Sequence, residues 1–231
     1  MRGKASAIND NSDERAALPT SRAAPHGERA VLAILRAKAP HRALDPGKAA
    51  RVAEWQAMTL LELAGLSEPP TPASLITELP RVLVRSDVDL PVSGCTSWHN
   101  GRWLIILNAA EPLVRQRFSL AHEFKHAIDH RFRHELYVDR PGLSAEVQAE
   151  RAADYFAACL LMPRRWLYRA WTDGHQRISE LSRMFSVSPQ AMARRLEHLG
   201  LRLPLDSHAA DGAQSPSYVR RKSPVWLRSA A

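Results

Sequence analysis

The chain has 231 residues, 45% of them hydrophobic and 24% charged, enough to bury one medium domain with appendages or two small ones. Lys and Arg number 32 against 24 Asp and Glu, a formal charge of +8 that leans weakly toward an acidic partner such as nucleic acid. Only Cys95 and Cys159 are present, which excludes a disulfide framework and a cysteine-based zinc knuckle, and no apolar run approaches the ~18 residues of a membrane span.

In chain order, residues 1–27 are rich in Ala, Ser and Pro without periodicity and read as a disordered leader. They lack the continuous apolar core of a secretory signal, so a cytoplasmic protein is expected. A helical segment follows over 28–67, with helices over 28–38 and 46–64. The second has Asp45 as N-cap and Pro46 at its first position, and its stripe is Val52, Trp55, Thr59 and Leu63. The run SEPPTP (67–72) breaks the chain.

RVLVR (81–85) reads as a short strand, and SGCTSW and RWLIILN read as a hairpin around His99-Asn100-Gly101, because Asn and Gly tolerate positive φ. Pro112 opens a long helix carrying RFSLAHEFKHAIDHRF (117–132). A second helix runs over 144–161 and stops at Pro163. After a break at Thr172-Asp173-Gly174, two short helices fill 177–201. Ile178, Leu181 and Phe185 form one stripe; Ser188 and Pro189 start the second helix, Met192, Leu196 and Leu199 are its stripe, and Gly200 is its C-cap. The stretch 203–231 reads as a disordered basic tail.

His122-Glu123-Phe124-Lys125-His126 is an HExxH arrangement. Helical residues four apart lie about 40° apart in azimuth and about 6 Å apart along the axis, so two imidazoles converge on one metal ion. Glu123, about 100° round from His122, reaches a metal-bound water without becoming a ligand. The metal lowers that water's pKa and the carboxylate takes its proton, which suits amide hydrolysis. His130 is no third ligand, since eight helical residues place it about 12 Å from His122, and Asp129 fails likewise. His130 reads instead as a helix-end histidine favoured by the dipole.

The third ligand must come from elsewhere. The helix AERAADYFAACLLMP sets Glu150, Ala153, Asp154 and Ala157 along one face, small enough for close approach to a partner helix. Glu150 is then a candidate ligand, and Asp154, one turn on, is placed to hydrogen-bond the outer nitrogen of a ligating histidine. His134, Glu135, Asp139 and Glu146 compete as donors. Candidates for stabilising the oxyanion are Tyr137, Tyr155 and His134. RWLIILN is either an edge strand that binds an extended substrate by β-addition or a central core strand. Cys95 as an inhibitory thiolate is disfavoured, and both cysteines read as small hydrophobes.

RFSLAHEFKH and ERAADYFAACLLMP together resemble the ImmA/IrrE metallopeptidases, whose signature is F-[ST]-x-A-H-E-x-x-H followed by E-x-x-A-[ND]-x-F-A-x-x-L-[LM]-x-P. Phe118, Ser119, Ala121, His122, Glu123 and His126 match the first part; Glu150, Ala153, Asp154, Phe156, Ala157, Leu160, Leu161 and Pro163 match the second. The resemblance implies that His122, His126 and Glu150 hold the metal and that Glu123 is the general base. It also implies a regulatory substrate, a helix-turn-helix (Xre-type) repressor encoded as a separate protein. Lys125 stands where many members have Gly and is expected to lie in solvent.

The pair over 175–202 looks like a helix-turn-helix with Arg194 and Arg195 on its outer face. These residues are candidate nucleic-acid or partner contacts, although such pairs often serve only packing or protein docking. The expected architecture is α+β and zincin-like: a small, mainly antiparallel sheet beside the HExxH helix in a metallopeptidase domain over 70–171, then the helix-turn-helix-like subdomain. The metal is expected to be Zn²⁺, though a His₂-carboxylate site also takes Mn²⁺ or Fe²⁺. Two rivals stand beside a regulatory endopeptidase: a DNA-binding regulator with a structural or vestigial metal site, and a toxin-like peptidase of broad specificity. Nothing in the sequence specifies an oligomeric state.

Overall fold

The computed structural model describes residues 30–201, so the leader expected over 1–27 and the tail expected over 203–231 lie outside the described residues. After a short helix α1 (Ala30–Arg36), α2 (Pro46–Leu63) starts where Asp45 accepts a hydrogen bond from the Lys48 N–H at 2.8 Å. Its buried residues are Ala49, Ala53, Gln56, Ala57, Thr59, Leu60 and Leu61. Of the expected stripe, Thr59 is buried and Val52 and Leu63 are half-buried, whereas Trp55 is 55% exposed. Alanines line the buried face because α2 lies along a second alanine-rich helix, and Trp55 is left outside under the Lys38 ammonium at 4.4 Å.

A single-turn helix α3 (Ser74–Thr77) leads into strands β1 (Val82–Asp87), β2 (Gly94–His99) and β3 (Arg102–Asn108). Asn100 (φ 48°) and Gly101 (φ 75°) make the expected tight turn. The sheet order is β1-β3-β2, so β3 is the central strand. Its continuous apolar run is thereby explained: Trp103, Ile105 and Leu107 point into the core, and neighbours flank it on both edges. The sheet is small, as expected, but of its two pairings one is antiparallel (β2–β3) and the other parallel (β1–β3).

Helix α4 (Leu113–Asp129) follows Pro112 and runs under the sheet, continuing through a 3₁₀ turn (His130–Phe132) into α5 (Arg133–Leu136). Helix α6 (Ala145–Leu161) is capped by Ser144, whose Oγ accepts from the Val147 N–H at 3.2 Å. Ala121 and Ala127 on α4 and Ala157 on α6 are all buried in one core, with Phe124 and Phe156 at 6.3 Å between ring centroids. Helix α7 (Arg164–Thr172) starts after Pro163. The pair α8 (Ile178–Phe185) and α9 (Pro189–His198) turns at Ser186 (φ 53°), and Leu181, Phe185, Met192 and Leu196 join the same core as the α4 and α6 residues. Among the described residues no helix is long and apolar enough to cross a membrane.

Two expectations about charged side chains on these helices are corrected. Lys125 does not lie in solvent: it is 1% exposed, and its Nζ meets Asp129 Oδ2 at 2.5 Å. The partner one turn along is what makes that burial tolerable. Arg195 is not on an outer face either; it is 1% exposed and its Nε donates to the Met162 carbonyl at 3.1 Å. His130 is at the end of α4, as expected, and there Arg36 donates to the carbonyls of Ala127 and Ile128, each at 3.0 Å. Burial, together with Arg36, Arg133 and His134, holds the His130 imidazole below its ordinary value.

Candidate metal centre

His122 and His126 stand one turn apart on α4, and α6 crosses them with Glu150 facing the pair. The His122 and His126 Nε2 atoms are 3.1 Å apart, and they lie 3.3 and 3.2 Å from the two Glu150 oxygens. Tetrahedral ligands on bonds of ~2.1 Å are separated by roughly 3.4 Å, so this donor set fits one zinc-like ion. Among the described residues, no other group of three or more His, Cys, Asp or Glu gathers its donor atoms in this way.

The competing donors are engaged or exposed elsewhere. Glu135 lies 3.6 Å from His41, Asp139 accepts the Ala145 N–H at 2.8 Å ahead of α6, and His134 and Glu146 are exposed. Tyr137 and Tyr155 make their contacts away from the cluster: the Tyr137 hydroxyl donates to Asp129 at 2.6 Å, and that of Tyr155 lies 3.5 Å from Glu54.

Asp154 sits where the α6 spacing put it, with Oδ1 2.9 Å from His122 Nδ1. Burial alone would lower the His122 pKa, but hydrogen bonds to Asp154 and Glu150 outweigh it and push the imidazole up to about 10. Burial likewise opposes ionisation of Glu150, yet the bonds from both histidines hold its carboxyl well below the usual range. Metal binding at His122 displaces a proton. Asp154, still accepting from Nδ1–H, keeps Nε2 turned to the cluster. Asp154→Asn should therefore weaken metal affinity by about 10- to 100-fold, read by competition with a fluorescent chelator.

Glu123 lies against Gly94 of β2. It is 8% exposed, and Thr96 Oγ1 donates to its backbone carbonyl at 3.1 Å. A Cβ on Gly94 would fall 3.0 Å from Glu123 Cγ and 3.4 Å from Oε1, so the carboxylate occupies space that only glycine leaves. Gly94 and Thr96 were not legible as site residues, because their demand is set by a residue nearly thirty positions away. Gly94→Ala should displace the carboxylate by a few tenths of an ångström and lower kcat by about tenfold or more, with bound metal unchanged. Elemental analysis beside a cleavage assay checks both halves. Cys95, also on β2, is half-buried, and burial and the Glu123 charge push its thiol up, which disfavours a thiolate ligand.

The family model described as Peptidase_M78, the IrrE N-terminal-like domain, matches residues 80–197, just over half of the chain. The chain belongs to this family. The IrrE-like match takes in α4, α6 and most of the α8–α9 pair, and so includes every residue of the cluster. A Mycobacterium tuberculosis transcriptional regulator of known structure superposes with a TM-score of 0.50 at 20% identity, covering 63% of this chain and 46% of the regulator. The chain thus spans under half of that protein's length, and the likeness speaks to the fold alone. Comparison with curated proteins gives no match.

Proposed function

We propose that this IrrE-like chain is a metal-dependent endopeptidase that cuts a helix-turn-helix transcriptional repressor as a regulatory switch. The observation that carries the reading is the division of labour between neighbours on α4. His122 and His126 turn to Glu150, while Glu123 is held apart against Gly94 with its carboxylate outside the donor triangle. A purely structural metal site closes its coordination with protein ligands and has no use for a fourth, buried acid beside it.

A divalent ion at the cluster supplies Lewis acidity, lowering the pKa of water toward about 7 and polarising a carbonyl. Glu123 takes the proton from the attacking water and delivers it to the leaving amine. Asp154 keeps His122 in the tautomer whose Nε2 donates to the cluster. An extended substrate would be held by β2, whose outer edge, opposite its pairing with β3, is the sheet edge beside Glu123.

The regulatory substrate is supported by the family and by the printed name of the structural neighbour, a transcriptional regulator. Incubating zinc-loaded protein with a candidate helix-turn-helix repressor should give one or a few discrete cuts, abolished by a chelator. Equal degradation of unrelated unfolded chains would favour the broad-specificity rival, and an intact repressor would sink the proposal.

The α8–α9 pair keeps a DNA-binding reading in play. Of the two arginines proposed as contacts, only Arg194 is exposed. That reading requires duplex binding with steep salt dependence that is lost in Arg194→Ala.

A further inference from the structure

Trp98 is 48% exposed on β2, the strand that carries Gly94 and Thr96 past Glu123. One exposed aromatic ring is ordinary on a protein surface. Its position relative to Glu123 is what carries weight. Side chains two apart on a strand share a face of the sheet. Gly94 abuts Glu123, and Thr96 Oγ1 donates to the Glu123 carbonyl, so Trp98 is the third of a row on the α4 side. Its cross-strand partner Trp103 agrees with that placement. The two rings meet edge-on at 5.1 Å between centroids, and Trp103, 3% exposed, meets the His130 ring at the end of α4 at 4.9 Å. Trp103 thus supports the indole of Trp98 from the core side, and the rest of the ring stays open to solvent.

The backbone of the same residues turns outward. The Asn108 N–H donates to the Ser93 carbonyl at 3.1 Å, which puts the odd-numbered residues of β2 in its hydrogen-bonded pairs with β3. The N–H and C=O groups of Gly94 and Trp98 therefore face the outer edge, where no strand pairs with β2 among the described residues. The second half of the strand, Ser97, Trp98 and His99, is exposed. Four residues of strand separate Gly94 from Trp98, about 13 Å. A peptide laid along this edge presents alternate side chains on the α4 side, and the one opposite Trp98 comes within about 5.5 Å of it between Cβ atoms.

We propose that Trp98 determines specificity: its open indole surface is a subsite for a large apolar side chain of the extended substrate, four residues along from the one opposite Gly94. The inference rests on the peptidase reading above and adds to it a sequence requirement away from the bond that is cut. Trp98 contacts neither the donor triangle nor Glu123, so it selects the substrate and takes no part in the chemistry.

The test is selection by cleavage from phage displaying randomised peptides long enough to span β2, with the zinc-loaded full chain as the protease. Cleaved sequences should be enriched about fivefold in large apolar residues at one position about four residues from the cut, the upper range of what one aromatic cross-strand pair contributes. Trp98→Ser should erase the enrichment, and Trp98→Phe, which keeps an aromatic ring, should retain it. Elemental analysis should find zinc at one equivalent in both variants, which separates loss of the subsite from loss of the fold. A selection that returns no cleaved sequence with the parent chain overturns the peptidase reading and this subsite with it. Cleavage without an apolar position at that distance, or with the same enrichment in Trp98→Ser, overturns the subsite alone.

Discussion

Glu123→Gln should abolish cleavage of the proposed repressor substrate while leaving the metal in place. The substitution keeps the shape of the side chain, so the contact with Gly94 and the Thr96 bond to the residue 123 carbonyl survive. What is lost is a group able to take and return a proton, a contribution of about 10² to 10⁴ in rate. The donor triangle is built from His122, His126 and Glu150, so bound metal should stay at one equivalent. The measurement is paired: turnover by gel or mass spectrometry, and metal by elemental analysis on the same sample. A variant that retains full regulatory activity in cells would overturn the peptidase reading. One that loses its metal would make Glu123 part of the binding set.

Asp129→Ala should be the most destabilising single change near the centre. Asp129 Oδ2 takes both the Lys125 ammonium at 2.5 Å and the Tyr137 hydroxyl at 2.6 Å. Burial holds the Lys125 pKa down and raises that of the Tyr137 phenol, Asp129 opposing the first shift and adding to the second. Removing the carboxylate leaves a buried ammonium and a buried hydroxyl without their acceptor, a cost of about 3–5 kcal/mol. That is a large part of an ordinary domain's stability of about 5–15 kcal/mol, and it should lower the thermal midpoint by on the order of 10 °C. Replacing both members, Lys125→Met with Asp129→Leu, should cost much less, because no charge is left stranded. Chemical denaturation of the three proteins checks this, and equal destabilisation by the single and double changes would contradict it.

The parts of this protein set by local chemistry were legible in its sequence. Asp45 and Ser188 each cap the helix they precede, and Asn100-Gly101 makes the hairpin. Such features depend on residues within a few positions of one another. The HExxH spacing is also local, and helical periodicity set Glu150 and Asp154 on one face of α6, whereas the choice of Glu150 over the competing donors His134, Glu135, Asp139 and Glu146 came from the resemblance to the ImmA/IrrE family. What escaped was set by contacts between distant segments. Trp55 was assigned to the core by its size, but close approach of α2 to α6 selects alanines, a demand invisible from α2 alone. Lys125 and Arg195 were assigned to solvent by their charge. One is buried on Asp129 and the other behind α6 with a backbone carbonyl and an aromatic face as its neighbours. The Lys-x-x-x-Asp spacing was a usable sign for the first; nothing local marked the second. The parallel pairing of β1 required knowing that β3 returns between β1 and β2.

The central claim, that α4 and α6 together hold one catalytic metal, is tested most directly by an anomalous difference map from crystals grown with zinc. It should show a single strong peak within bonding distance of His122 Nε2, His126 Nε2 and a Glu150 oxygen, with the Glu123 carboxylate outside bonding range. A peak elsewhere, none at this cluster, or one that takes Glu123 as a direct ligand would contradict the account.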